Sequence, residues 1–170
     1  VRIPLILMGY LNPIMKFGFE AFCQKCVECG IDGVIIPDLP FKDYEETYKP
    51  IADRYDIRVI MLITPETSEA RVREIDEHTD GFIYMVSSAA TTGAQKDFDS
   101  QKQAYFKKIQ DMHLRNPRMV GFGISNKQTF DAACANSSGA IIGSRFVTLL
   151  NEAEGDAEKA ITQLKENVGR

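Results

Sequence analysis

Gly121-Phe122-Gly123-Ile124-Ser125, followed shortly by Gly139-Ala140-Ile141-Ile142-Gly143-Ser144, decides how this chain is read. Each segment closes a short apolar run with glycine and then turns polar, the pattern of a strand giving way to a helix. A third segment of the same kind, Thr91-Thr92-Gly93, lies upstream, after the apolar run that ends at Val86. Glycine has no Cβ, so its backbone can approach a ligand closely. Free N–H groups at a helix start attract anions. Any one of these glycines is adequately explained as a turn residue. Three in succession point to a phosphate cradle formed by Gly93, Gly123, Gly143 and Ser144, with the Ser144 hydroxyl as an added donor.

Outward from there the chain alternates apolar and amphipathic runs. The apolar runs Ile3–Met8, Gly33–Ile36, Val59–Ile63, Phe82–Val86, Met119–Phe122 and Ala140–Ile142 read as strands. Helical patterns fall roughly at 19–29, 43–55, 68–77, 100–113, 126–135 and 145–151, and a last one at about 156–168. Ser125 with Gln128 three residues on suggests a capping box. Pro50 should break or kink the second helix. Short apolar strands separated by helices imply a parallel sheet covered on both faces. A doubly wound sheet tolerates six strands, whereas a (β/α)8 barrel needs eight and typically about 250 residues. Six units in 170 residues make three-quarters of a barrel. Its phosphate loops would be the last two, where such barrels often hold phosphate. The expected fold is therefore an incomplete (β/α)8 barrel: one domain, 1–170, lacking its first two βα units. The opening on Val1, directly into a strand-like run, fits a piece of a longer protein.

Composition narrows the function. The net charge of −4 leaves no broad basic surface for nucleic acid. No apolar run is long enough to span a bilayer, which makes a cytoplasmic protein the default.

Alternate residues of a barrel strand point inward. Met8 with Tyr10, Ile35 with Pro37, Phe82 with Tyr84, and Ile141 with Gly143 would line the mouth, and Ile63 is a further pocket residue. Such an apolar pocket edged by tyrosine hydroxyls suits a flat aromatic ligand. Simple barrel packing accounts equally well for Ile35 or Ile141 alone. Asp38, after Ile35-Ile36-Pro37, is placed for chemistry or for orienting a loop, and equally for capping a turn before Pro40. Glu45, Glu46, Glu69 and Asp76 fall on helix faces and should be solvated, as should His78 and His113. Cys23-x-x-Cys26-x-x-Cys29 has metal-like spacing. However, Phe19, Phe22, Cys23, Cys26 and Val27 recur at helical intervals, which favours core packing over a metal. The outline is a binding site short of catalytic carboxylates.

Taken together, Asn12-Pro13, Ile35-Ile36-Pro37-Asp38-Leu39-Pro40, the 87–93 loop, Gly121–Ser125 and Gly139–Ser144 resemble the tryptophan synthase alpha chain family over essentially the whole sequence. The resemblance implies a lyase of tryptophan biosynthesis that cleaves indole-3-glycerol phosphate to indole and glyceraldehyde 3-phosphate. It implies an αββα complex with a beta chain, and pyridoxal phosphate in that partner only. No cofactor or metal is implied for this chain. Phosphate would sit at Gly93, Gly123, Gly143 and Ser144. Tyr10, Tyr84, Phe122 and Ile141 would surround the indole and glycerol chain, Thr92 would help close the site, and Asn12 and Pro40 would face the beta chain. The family's catalytic glutamate and aspartate would lie upstream of Val1, so this chain by itself should be inactive, with Tyr84 and Thr92 in supporting roles only. The loop also departs from the family: it reads Ser88-Ala89-Ala90-Thr91-Thr92-Gly93 where many members carry an Arg and a Gly-Val-Thr-Gly ending. Two alternatives stay open at this level. One is another phosphate-sugar barrel, such as an isomerase or epimerase. The other is a non-catalytic module that senses a phosphate ligand.

Overall fold

The computed structural model describes residues 3–87, 95–121 and 123–170, with the backbone alone for 95–99. Its residues form two compact units. The first holds residues up to Leu62 together with Thr67–Ile83, and the second holds Ile63–Glu66 and Tyr84–Arg170.

In the first unit, β1 (Ile6–Met8), β2 (Gly33–Ile35) and β3 (Arg58–Ile60) form a parallel sheet in that order. The register pairs Met8 with Ile35 and Ile35 with Ile60. The central strand is buried along its length and the edge strand β1 is not: Leu7 and Met8 are 44% and 55% exposed. Between the strands run α1 (Leu11–Phe17), α2 (Phe19–Glu28), α3 (Phe41–Asp43), α4 (Lys49–Arg54) and, after β3, α5 (Glu69–His78). Cys23 and Cys26 fall on the buried face of α2, as core packing predicted, and burial pushes both thiols up, Cys23 to about 11.

Four expectations are corrected here. Asn12-Pro13, outside the helical patterns expected from the sequence, lies inside α1. Proline is tolerated in a first helical turn, where its missing N–H has no partner to lose. Pro50 does not simply end a helix. It stands at the start of α4, directly after a π-helical turn over Tyr44–Tyr48. A wider turn before the proline relieves the clash of its ring with the carbonyl four residues back. Asp76, expected to be solvated, is buried at 9% exposure. Glu45, expected to be solvated, is half-buried; its Oε1 meets Nδ1 of His78, which is exposed as expected and whose imidazole lies 6.3 Å from the Phe41 ring.

A second sheet holds β4 (Leu62–Ile63), β5 (Ile83–Val86), β6 (Arg118–Gly121) and β7 (Gly139–Ala140) in that order, with β6 and β7 parallel; all of these residues but Leu62 and Ile83 belong to the second unit. The single strand expected over Val59–Ile63 is thus two, interrupted at Met61 and shared between different sheets. Helices α6 (Gln95–Asp111), α7 (Lys127–Cys134), α8 (Ser144–Glu152) and α9 (Ala157–Val168) follow. Ile63, Met85, Val120, Phe106 and Ile109 are nearly inaccessible, and Leu149, Ala153 and Ala160 form a second cluster between α8 and α9. The cap of α7 is one residue later than expected. Asn126, not Ser125, is the N-cap, and Thr129 closes the reciprocal pair. Both residues are good caps, and Thr129 Oγ1 accepts from both Ser125 N and Asn126 N.

Candidate functional site

In the second unit, β5 and β6 end side by side: Ser87 N donates to the Gly121 carbonyl at 3.2 Å. Tyr84, on β5, is buried at 5% exposure, and burial pushes its phenol up. Gly121 must be glycine for Tyr84 to lie there. A Cβ at 121 would fall 2.5 Å from Tyr84 Cε1 and closer still to Cζ and the hydroxyl. Gly123 is a glycine for a different reason. Nothing crowds its Cβ position, but its φ is +77°, a left-handed backbone that other residues adopt at a cost.

The next strand ends in the same manner. Ile141 N donates to the Val120 carbonyl at 2.8 Å, and Gly143 forms the N-cap of α8 with no side-chain cap. Ser144 is the first residue of that helix, and Gly143 and Ser144 are both exposed. The first-turn N–H groups of a helix have no intrahelical partner, and the N-cap Gly143 has no side chain to cover them. The helix dipole adds positive potential at the same end. A helix start of this kind can attract an anion, and Gly143 and Ser144, two of the expected phosphate residues, stand at it. Thr92, Gly93 and Phe122 lie outside the described residues.

A cavity of about 60 Å3 is lined by Gly123, Ser87, Thr129, Lys102, Gln103 and Phe106. Neither Lys102 nor Gln103 was singled out from the sequence. The signal was available, because Lys102 precedes the buried Tyr105 and Phe106 by three and four positions and so shares their helix face.

In the first unit, Met8 and Tyr10 are 55% and 67% exposed, Pro37 is exposed, and Ile35 is buried. Asp38 has a definite role. Its Oδ1 accepts from the Leu11 N–H at 2.8 Å, which satisfies a first-turn donor of α1, whose own N-cap Tyr10 makes no side-chain cap. Of the two readings of Asp38, orienting a neighbouring segment is the one the geometry shows. Asn12 lies in the turn that Asp38 holds, and Pro40 is the N-cap of α3. Among the described residues no group of three or more His, Cys, Asp or Glu side chains could hold a metal ion. Nor is any described helix long and apolar enough to cross a membrane.

The sequence pattern that describes the tryptophan synthase alpha chain matches residues 1–170. The chain belongs to the tryptophan synthase alpha chain family. A tryptophan synthase alpha chain from Bacteroides fragilis is 80% identical over 165 residues, covering 97% of this chain and 62% of that relative. Among solved structures, a tryptophan synthase subunit alpha from Campylobacter jejuni is similar with a TM-score of 0.82 at 29% identity, covering 98% of this chain and 66% of that one. A chain of the tryptophan synthase complex from Pyrococcus furiosus gives a TM-score of 0.81 at 26% identity, covering 98% and 66%. The expected fold class is borne out: α/β with parallel sheets, matching part of a (β/α)8 barrel. The chain spans less than two thirds of the length of the Bacteroides tryptophan synthase alpha chains that it matches. Family membership sets aside an isomerase or epimerase barrel.

Proposed function

We propose that this chain forms the phosphate- and indole-binding part of a tryptophan synthase alpha subunit. That subunit is the lyase that splits indole-3-glycerol phosphate into indole and glyceraldehyde 3-phosphate. One observation carries the reading: the exposed, uncapped start of α8 at Gly143-Ser144, in a chain that the family pattern matches from end to end. In this reading the N–H groups of Gly93, Gly123, Gly143 and Ser144 hold the phosphate. Of the other expected pocket residues, Ile63 and Ile141 belong to the same unit as Gly123, Gly143 and Ser144, and Met8, Tyr10, Ile35 and Pro37 belong to the first unit.

The chemistry needs an acid and a base. Protonation at C3 of the indole ring weakens the bond from C3 to the glycerol chain. Removal of the proton from the adjacent glycerol hydroxyl then forms the aldehyde carbonyl, and the electrons of the broken carbon–carbon bond return to the ring. Tyr84 is ill suited to be the base, because burial holds its phenol protonated, but it can donate a hydrogen bond to a substrate oxygen. Asp38 is engaged with the Leu11 N–H. We therefore assign the acid and base to the part of the family's length that this chain does not span. The partner is a beta chain, which carries the pyridoxal phosphate. It would dock where Asn12 and Pro40 start α1 and α3.

The test is to titrate the 170-residue chain with glycerol 3-phosphate and then incubate it with indole-3-glycerol phosphate. Saturable binding without indole release is expected. Failure to bind the phosphate would overturn the site, and indole release by this chain alone would overturn the assignment of the acid and base.

A further inference from the structure

We propose that Lys102 supplies a positive charge to the phosphate site, a role that rests on the phosphate reading above. Among the described residues, those assigned to hold the phosphate are Gly123, Gly143 and Ser144. They offer N–H groups and one hydroxyl, and no cationic side chain. A phosphate dianion bound there enters a chain of net charge −4, so an added cation strengthens its binding.

Lys102 is placed to be that cation. It lies on α6, four residues before Phe106 and three before Tyr105, both buried, so its stem leaves the helix on the packed face. It is half-buried and lines the same cavity as Gly123, Ser87 and Thr129. Phe106 lines the cavity as well. A lysine ammonium seeks polar surroundings while its stem packs on apolar ones, and the lining of this cavity includes the polar Ser87 and Thr129 as well as Gly123. At about 60 Å3 the cavity exceeds the roughly 15 Å3 that one water needs, which leaves room for bridging water between ammonium and anion. Lys102 and Ser87 each already interact within the protein, so the ammonium would be shared with the anion. The resulting contact is charge-assisted and therefore stronger than one between neutral groups.

The 170-residue chain and its variants are titrated with inorganic phosphate at low ionic strength, following the Gly123 amide and the lysine 13Cε resonances by NMR. Lys102→Met should weaken phosphate binding about tenfold, the size of one charge-assisted contact, and Lys102→Arg should stay within about twofold of the unsubstituted chain. Lys107→Met is the control, since Lys107 is exposed and pairs with Asp111 at 3.2 Å on the same helix; it should bind as the parent does. Should Lys102→Met fold poorly, the parent chain still decides, because its Lys102 13Cε resonance must shift as phosphate saturates. Equal weakening in both methionine variants, or a Lys102 resonance that does not move, overturns the proposal. Unchanged affinity in a folded Lys102→Met overturns it while leaving the phosphate site intact. Absence of phosphate binding by the parent chain overturns both.

Discussion

The ring of Tyr84 occupies the space in which Gly121, on the adjacent strand, would carry a side chain. The two positions are therefore coupled. Gly121→Ala forces a buried aromatic ring or its strand to move, and overpacking of this kind costs about 1–3 kcal/mol. Tyr84→Leu removes Cε1, Cζ and the hydroxyl, the atoms that collide, at the cost of a cavity. A double-mutant cycle by urea denaturation should show strong non-additivity, with Gly121→Ala nearly silent in the Tyr84→Leu background. Simple addition of the two losses would show that the ring relaxes freely.

Asp38 holds the start of α1 through the Leu11 N–H at 2.8 Å. Asp38→Ala should cost about 1 kcal/mol, as loss of a helix cap does, and should speed hydrogen exchange of the Leu11 amide specifically. If Asn12 meets the beta chain, the same variant weakens beta-chain binding while leaving phosphate affinity unchanged. A loss of phosphate affinity instead would give Asp38 a direct part in the site.

Alkaline pH should unfold the chain partly through Cys23. Its thiol ionises at about 11 in the folded state, up from 9.0, chiefly because of burial and then because of Cys26 and Glu20. The folded state thus favours the protonated thiol. The stability it contributes is fully present below pH 9, where both states hold the proton, and is lost as pH rises from 9 toward 11. Tyr44 and Tyr105, also raised by burial, extend the decline above pH 10. In Cys23→Ala the fall between pH 9 and 10 should be shallower when denaturation midpoints are followed against pH; an unchanged slope would exclude the thiol as a contributor.

Replacing Gly123 tests the backbone rather than the space around it. Since its φ is +77° and nothing crowds the Cβ position, Gly123→Ala should cost about 1 kcal/mol from strain alone. Gly123→Asn, which tolerates the left-handed region better, should cost less. Thermal unfolding of the pair checks the order. The reverse order would mean that side-chain bulk, not conformation, governs this position.

Much of this was legible in the residues. Gly33–Ile36 was read as a strand and Gly33–Ile35 forms one; the helical pattern at about 156–168 is the helix Ala157–Val168. Apolar periodicity carried those readings, because burial follows it directly. The misreadings occur where two local rules compete. Pro13 signals a turn in general but is allowed in a first helical turn, so α1 was missed. Ser125 and Asn126 are both good caps, and only the position of Thr129 decides between them. Val59–Ile63 is one uninterrupted apolar run, and no local property marks Met61 as the place where it leaves one sheet and enters another. At the site, Gly143 and Ser144 stand as expected at an open helix start. The Gly121 requirement and the cavity beside Lys102 were hidden, since each depends on which strand or helix lies alongside.

The assignment of Ile63–Glu66 to the second unit, while residues on both sides of it belong to the first, bears on how the chain can be divided. The polypeptide passes between the units three times: after Leu62, after Glu66 and after Ile83. No single backbone cut therefore yields two autonomous halves. A cut after Ile83 strands Ile63, and with it part of the first strand of the sheet Leu62–Ile63, Ile83–Val86, Arg118–Gly121, Gly139–Ala140, in the wrong piece. A cut after Leu62 hands α5 to the wrong piece instead. Fragments made at either point should regain their native protection only when mixed.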